Sequence, residues 1–377
     1  MRNLLYILHP IERFSPDTGG ALSTITQSTL TRLNDYKSTV LHLKHNDRCY
    51  EDTGCVQVNG KSLMARVLSF PLWKRLSMPY RGQVALAFAA LVRLASGTFP
   101  IAILFNDESM CLLLSRLLPK VNFLLWYQNF PDNYQLLRLC ARRPNVHVLT
   151  CSDFVRNTIC NQIGRTQNSI MTVRSGSDIA LIDNRLTTTT LSILFVGRID
   201  YNKGVDIVVE TVARLTHRGV SVSATIVGNT WFYSSTDHSD ESVYYQSLLQ
   251  KSENLPIRFA GHVDRYSIDQ YYQTHDLIMI PSRTEDPSPL VVAEGLRSGC
   301  AVVASRKGGI TERVEGVGVL VDSDDAVSWC DVIEPLAVDR AKLRDLRQRC
   351  ADAGLAMTWD KTASDLSVVL SGCKDAG

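Results

Sequence analysis

Short apolar runs of strand length alternate with helix-length amphipathic segments along the whole chain, which points to an α/β architecture with parallel sheets. In the first half, strands are expected at residues 4–8, 39–43, 101–105, 123–127 and 147–150. In the second half they are expected at 192–196, 223–227, 257–260, 277–280, 301–304 and 317–321. Helices between them follow the 3.6-residue period, as over 205–215 and 289–297. A chain of 377 residues exceeds what one hydrophobic core holds, so two domains are expected. The stretch 183–190, ending in four threonines, carries no periodic apolar face and reads as a linker. The chain is thereby divided into domains 1–185 and 191–355 and a closing segment 356–377. Each domain reads as an open doubly wound sheet, and ligands of such sheets bind at the carboxyl ends of the strands.

Charge is distributed unevenly. Residues 1–190 hold roughly 21 Lys and Arg against 12 Asp and Glu, about +9, and the remainder carries about −7, within a total of +2. Between Asp52 and Asp107 there is no acid, whereas Lys61, Arg66, Lys74, Arg75, Arg81 and Arg93 alternate with Phe70, Trp73 and Tyr80. Such a mixture suits an anionic membrane surface or a polyanionic acceptor; the other reading is an ordinary helical face with buried aromatics. No nucleic-acid module accompanies the charge. The ten cysteines form no C-x-x-C pair and no ligand-like spacing with histidine, so neither a zinc site nor a disulfide framework is expected, and reduced cytosolic thiols are the reading. Residues 1–10 suit a first buried strand rather than a signal peptide, and the apolar run 84–95, interrupted by Arg93, is too short to span a bilayer.

Three places carry candidate chemistry. Gly197-Arg198 and Lys203-Gly204 bracket the loop between a strand and the helix that opens near Val205. Gly197 permits close backbone approach, and the two cations can reach a diphosphate; the plain alternative is a solvated loop. Asp286 and Glu294 lie eight residues apart around a helix start built by Pro287, Ser288 and Pro289. Backbone N–H groups of Leu290 and Val291 would face an anion there. Glu294, amid Val291, Val292, Ala293 and Leu296, is placed to accept two ribose hydroxyls, and Asp286 a sugar hydroxyl; the alternative is an acid-rich first turn favoured by the macrodipole. Gly19-Gly20 follows the first strand, either for approach to a phosphate or acceptor or as a plain turn. The run from Gly54 to Ser62 narrowly misses a P-loop, no G-x-G-x-x-G opens the first helix, and Asp322-Ser-Asp324 reads as a solvated turn.

In order and spacing, LFVGRIDYNKGVDIVVETVARL, ATIVGN, IRFAGHV and YYQTHDLIMIPSRTEDPSPLVVAEGLRSGCAVVASRKGG together resemble the family 4 retaining glycosyltransferases, also called glycosyl transferases group 1, of the GT-B fold. The likeness is strongest from Ser192 to Val321. TCSDFVRNTI and MTWDKTASDLSVVL extend it to the last strand of the first domain and to a closing helix. The resemblance implies two facing Rossmann-like domains, an acceptor domain and a nucleotide-sugar domain, with the C-terminal helix crossing back to the first. It implies a retaining, metal-independent hexosyltransferase without a cofactor, using a UDP- or GDP-linked sugar. The acceptor would be a glycan or lipid-linked glycan of lipopolysaccharide, capsule or exopolysaccharide, and the enzyme cytoplasmic or peripheral at the inner membrane face.

By the same resemblance Arg198 and Lys203 would stabilise the leaving diphosphate, Glu294 would bind the ribose and Asp286 the transferred sugar. Ser288, Pro289, Leu290 and Val291 would hold sugar and phosphate. Gly20, Gly197, Gly228, His262 and Val263 would complete the donor site, within a segment 258–263 that frames the base. Gly19, Gln128 and Asn129 are the acceptor-side candidates.

Three positions depart from the family pattern. Asp286 stands where the family has glutamate, Pro289 where it has glycine, and Gln128-Asn129 where an active-site histidine often follows the strand 123–127; His9 reads as structural. The competing expectations are a catalytically silent nucleotide-sugar-binding protein and a nucleotide-sugar epimerase or phosphorylase on the same fold.

Overall fold

The computed structural model describes residues 1–51, 53–59, 78–181, 189–230 and 239–373. Two compact units emerge, one of Met1–Arg174 with Trp359–Gly377 and one of Ser175–Thr358. Each is an all-parallel sheet with helices around it.

The first sheet has the order β3-β2-β1-β4-β5-β6-β7. Its strands are β1 (Arg2–Ile7), β2 (Tyr36–Leu43), β3 (Gly54–Val58), β4 (Ile101–Phe105), β5 (Asn122–Tyr127), β6 (Val146–Thr150) and β7 (Met171–Thr172). Leu4, Leu5, Phe123, Leu124, Leu125 and Trp126 are fully buried, as strands covered on both faces must be. The helix Trp359–Gly372 belongs to this unit: Trp359 is buried, Asp360 pairs with Arg32 at 3.1 Å, and Thr362 Oγ1 donates to the Arg174 carbonyl at 2.8 Å.

The second sheet has the order β10-β9-β8-β11-β12-β13. Its strands are β8 (Leu191–Val196), β9 (Val222–Val227), β10 (Ile257–Gly261), β11 (Leu277–Ile280), β12 (Ala301–Ser305) and β13 (Val319–Val321). Residues 175–181 cluster with this unit. Ile179 is buried in its core and the Ser175 carbonyl accepts from Arg313 at 2.9 Å.

Each expected strand appears within a few residues of its expected ends, and the helices 205–215 and 289–297 appear as Val205–His217 and Leu290–Ser298. Two strands escape the sequence reading. Gly54–Val58, read only as a near-miss P-loop, pairs along β2 in parallel register, and Met171–Thr172 is too short to announce itself. In both sheets the strand order reverses beside the first strand, at β1/β4 and β8/β11, which is where open α/β sheets leave a ligand crevice. No described helix is long and apolar enough to cross a membrane. Lys61, Arg66, Phe70, Trp73, Lys74 and Arg75 of the basic stretch, and residues 183–188 of the expected linker, lie outside the described residues.

Candidate active site

The candidate donor residues of the second unit gather at the carboxyl ends of four adjacent strands. β8 runs into Gly197-Arg198, β9 into Gly228, β10 into His262-Val263 and β11 into the segment from Pro281 to Pro289. Two glycines make these loops fit together. Gly204, at φ +71°, closes the turn Tyr201–Lys203, and a Cβ there would overlap the Pro281 carbonyl oxygen. Gly228, at φ +142°, donates its N–H to the Gly261 carbonyl at 2.8 Å, and a Cβ would overlap the Gly197 carbonyl oxygen. The β8 and β11 loops are joined directly by the Arg283 N–H, which donates to the Asn202 carbonyl at 2.8 Å.

Lys203 and Asp286, 83 residues apart in sequence, meet here: Lys203 Nζ lies 2.6 Å from Asp286 Oδ2. Asp286 is 8% exposed, and its backbone carbonyl is held by the Gly309 N–H at 2.8 Å. Asp200 fixes the turn that presents Lys203, accepting from the Lys203 N–H at 2.9 Å and facing Arg198 Nη2 at 3.2 Å. An ammonium has three donors, so Lys203 keeps two for a ligand while paired with Asp286.

Glu294 is 4% exposed on the helix Leu290–Ser298. One of its oxygens accepts from Arg265 and the other from the Tyr272 hydroxyl at 2.6 Å. Burial lowers the Arg265 guanidinium's affinity for its proton, but the adjacent Glu294 carboxylate outweighs this and holds the pKa above its usual value. Burial, then Glu294, push the Tyr272 phenol well above its usual range. Each carboxylate oxygen has a second lone pair, which leaves room for further hydroxyl donors. At the start of the same helix Pro289 supplies no side-chain cap, and Ser288 Oγ is buried without a hydrogen-bond partner. An uncapped helix N-terminus beside an orphaned hydroxyl is a polar cradle suited to an anion.

Sequence reasoning missed the residues that support these groups. Arg265 and Tyr272 hold Glu294. Arg283 grips Asp206 with two hydrogen bonds of 2.7 Å, stacks 4.0 Å from the Tyr201 ring centroid and donates to the Tyr201 carbonyl at 2.7 Å. Tyr244 donates to Asp206 at 2.8 Å. Burial raises the Asp206 pKa, but Arg283 and Tyr244 together bring it below the usual carboxylate range. These side chains carry no motif of their own; the only sequence signal is polar residues at positions flanking the loops they brace.

In the first unit, Gly19 and Gly20 follow β1, while Gln128 and Asn129 follow β5. The N–H groups of Gln128 and Asn129 both donate to Asn106 Oδ1, at 2.8 and 3.2 Å, and Asn106 itself adopts φ +50° after β4. Gln128 Nε2 is buried without a partner. Burial lowers the pKa of His9, against the nearby Asp107 and Asp132.

Glu12, which sequence reasoning did not single out, pins the glycine loop. Its Oε1 accepts from the N–H groups of Gly20 and Ser23, at 2.8 and 3.0 Å, and so caps the helix Ala21–Leu30. Burial pushes the Glu12 pKa up to about 7 from 4.5, against the two N–H donors. A raised carboxyl pKa favours the folded state below the unfolded value of about 4.5, and that contribution is lost as pH rises through about 7. The loss amounts to about 3 kcal/mol. Glu12→Gln, which keeps the acceptor, is expected to flatten the fall in unfolding free energy between pH 5 and pH 8 in urea melts. An unchanged slope would show that Glu12 does not carry it.

Residues 190–339 match the family model Glycosyl transferases group 1. Among curated proteins, the D-inositol 3-phosphate glycosyltransferase of Xylanimonas cellulosilytica is 30% identical over 176 residues, 46% of this chain and 40% of that protein. The lipopolysaccharide 1,2-N-acetylglucosaminetransferase of Salmonella typhimurium is 24% identical over 162 residues, 42% of this chain and 39% of that protein. The matches therefore span about two fifths of the relatives' length. Among solved structures, the sucrose-phosphate synthase of Thermosynechococcus elongatus superposes with a TM-score of 0.78 at 15% identity, covering 98% of this chain and 99% of that one. Anabaena HepE in complex with UDP and glucose does so with a TM-score of 0.75 at 17% identity, covering 98% and 99%. The two parallel sheets are those of the GT-B fold, and residues 190–339 are similar to the glycosyl transferases group 1.

Proposed function

We propose that the protein transfers a hexose from a UDP- or GDP-linked sugar to a glycan acceptor, with retention at the anomeric carbon and without a metal ion. The observation that carries this reading is the Lys203–Asp286 pair at 2.6 Å, at the point where β8 and β11 part, beside the Glu294 helix start. In this reading Glu294 binds the ribose hydroxyls, the segment 258–263 frames the base, and Arg198, Lys203 and the N–H groups of Leu290 and Val291 surround the diphosphate. The acceptor hydroxyl attacks the anomeric carbon on the face from which the diphosphate departs. The bond from that carbon to the phosphate oxygen breaks, a bond to the acceptor oxygen forms, and the acceptor's proton passes to the departing phosphate. Charge accumulates on the leaving group, so preorganised cations and N–H donors lower the barrier most. Asp286 orients the sugar and holds Lys203 in place beforehand.

HepE is described with UDP-glucose, and the Salmonella relative by its name acts on lipopolysaccharide; both suit a donor and an acceptor of these classes here. The acceptor side is assigned to Gly19, Gln128 and Asn129, in a cytoplasmic enzyme whose basic stretch 61–93 meets an anionic membrane surface. Proton NMR of the sugar released or transferred from a panel of UDP- and GDP-hexoses tests the stereochemistry. An axial donor bond should give an axial product first; an inverted first product would rule the mechanism out.

A further inference from the structure

His42, His45 and Cys49, in the first unit, bring three metal-ligating atoms within 4.8 Å of one another. His42 is the penultimate residue of β2 and is fully buried; His45 and Cys49 lie on the connection toward β3. His42 Nδ1 stands 2.9 Å from the Leu43 carbonyl oxygen. A carbonyl only accepts, so Nδ1 carries the ring proton and Nε2 presents a lone pair. That Nε2 lies 3.9 Å from Cys49 Sγ. Zinc bonds of ~2.0–2.1 Å to nitrogen and ~2.3 Å to sulfur place two tetrahedral ligands about 3.6 Å apart, so this separation nearly matches a shared ion.

The second observation is His45. Its side chain is 8% exposed, and both ring nitrogens are buried without a hydrogen-bond partner. Buried polar groups are normally satisfied, and an imidazole with two orphaned nitrogens beside a histidine lone pair and a thiol calls for a ligand between them. His45 Nδ1 faces Asp47 Oδ2 at 3.5 Å, so a slight ring movement would let it donate there and leave Nε2 for an ion. Histidine ligands of metals are commonly oriented by carboxylates or carbonyls in this way. The Gln57 side-chain amide donates to Cys49 Sγ at 3.0 Å, which favours a thiolate.

We propose that His42 Nε2, His45 Nε2 and Cys49 Sγ bind one zinc ion, the thiol losing its proton as the ion enters. Two imidazoles and a thiolate select a borderline-soft cation over magnesium or calcium. The fourth position falls to water. The ion would fasten the β2–β3 connection to the loop before Gly19, because Asp47 also accepts from Arg13 at 2.9 Å and from Thr18 at 3.0 Å. The spacing His42-x2-His45-x3-Cys49 escaped the sequence reading because the side chains converge only where the chain turns at the end of β2.

The test uses the 377-residue chain without an affinity tag, reduced, stripped with a chelator and titrated with Zn²⁺ against a chromophoric indicator. One equivalent is expected to bind, and Cys49→Ser and His45→Gln should each weaken binding at least ~10-fold. Co²⁺ in place of zinc should give a thiolate charge-transfer band in the near ultraviolet. Absence of stoichiometric binding, or wild-type affinity in both variants, would overturn the proposal. If the variants do not fold, a Co²⁺-loaded wild-type spectrum lacking the thiolate band does so alone.

Discussion

Lys203→Ala is expected to lower sugar transfer about 1000-fold while leaving a folded protein. A cation ~4 Å from a phosphate oxygen contributes about 4 kcal/mol at an effective dielectric of 20, and that energy corresponds to roughly three powers of ten in rate. Arg198, the other cation of this loop, is held beside Asp200 at 3.2 Å and does not take over the position of the lysine. The variant also leaves the mostly buried Asp286 carboxylate without its cation, which should cost stability by ~1–3 kcal/mol. The Lys203 side chain is 29% exposed, so water offsets part of that loss and the melting temperature should fall only by a few degrees. Lys203→Arg should recover little, since a planar fork does not reproduce a compact ammonium on this turn. Transfer within about tenfold of wild type in a folded Lys203→Ala protein would remove the role assigned to it.

Glu294→Ala is expected to damage both binding and stability, for one geometric reason. Arg265 and the fully buried Tyr272 each spend a hydrogen bond on this carboxylate. Removing it strands a guanidinium and a hydroxyl, a loss of about 3 kcal/mol. It also deletes the acceptor proposed for the ribose hydroxyls, so the donor KM should rise by about one to two powers of ten even in the fraction that folds. Tyr272→Phe separates the two effects. It should cost about 1 kcal/mol of stability and move KM far less, and combined with Glu294→Ala it should add little more, because the two share one interaction. A donor KM unchanged by Glu294→Ala would argue against ribose recognition at this carboxylate.

Much of the fold is legible in the sequence because parallel strands buried on both faces must be short, apolar and β-branched. Runs such as Ile101–Phe105 and Ala301–Ser305 have no other use in a chain of this composition. Gly54–Val58 is hidden for the opposite reason: it is an edge strand, partly exposed, and begins with a glycine. The site divides along a similar line. Arg198, Lys203, Asp286 and Glu294 sit on loops and helix starts with turn chemistry that a sequence displays. Their supports do not. Tyr272 looks like any aromatic on a short helix, and Arg283 and Asp206 are 77 residues apart until β8 and β11 bring their ends together. Glu12 is similarly silent, because a helix cap supplied from eight residues before the N-cap leaves no local pattern. The zinc ligands proposed above depend on how a strand ends, which spacing alone does not disclose.

The central claim is that the carboxyl ends of β8 to β11 form a site for a nucleoside diphosphate sugar. Thermal unfolding of the purified chain against UDP, GDP and their hexose conjugates tests it most directly. At least one diphosphate and its sugar should raise the melting temperature in a concentration-dependent way, with smaller shifts at the same ligand concentration in Lys203→Ala and Glu294→Ala. A wild-type protein whose melting temperature no nucleoside diphosphate or nucleotide sugar changes would contradict it.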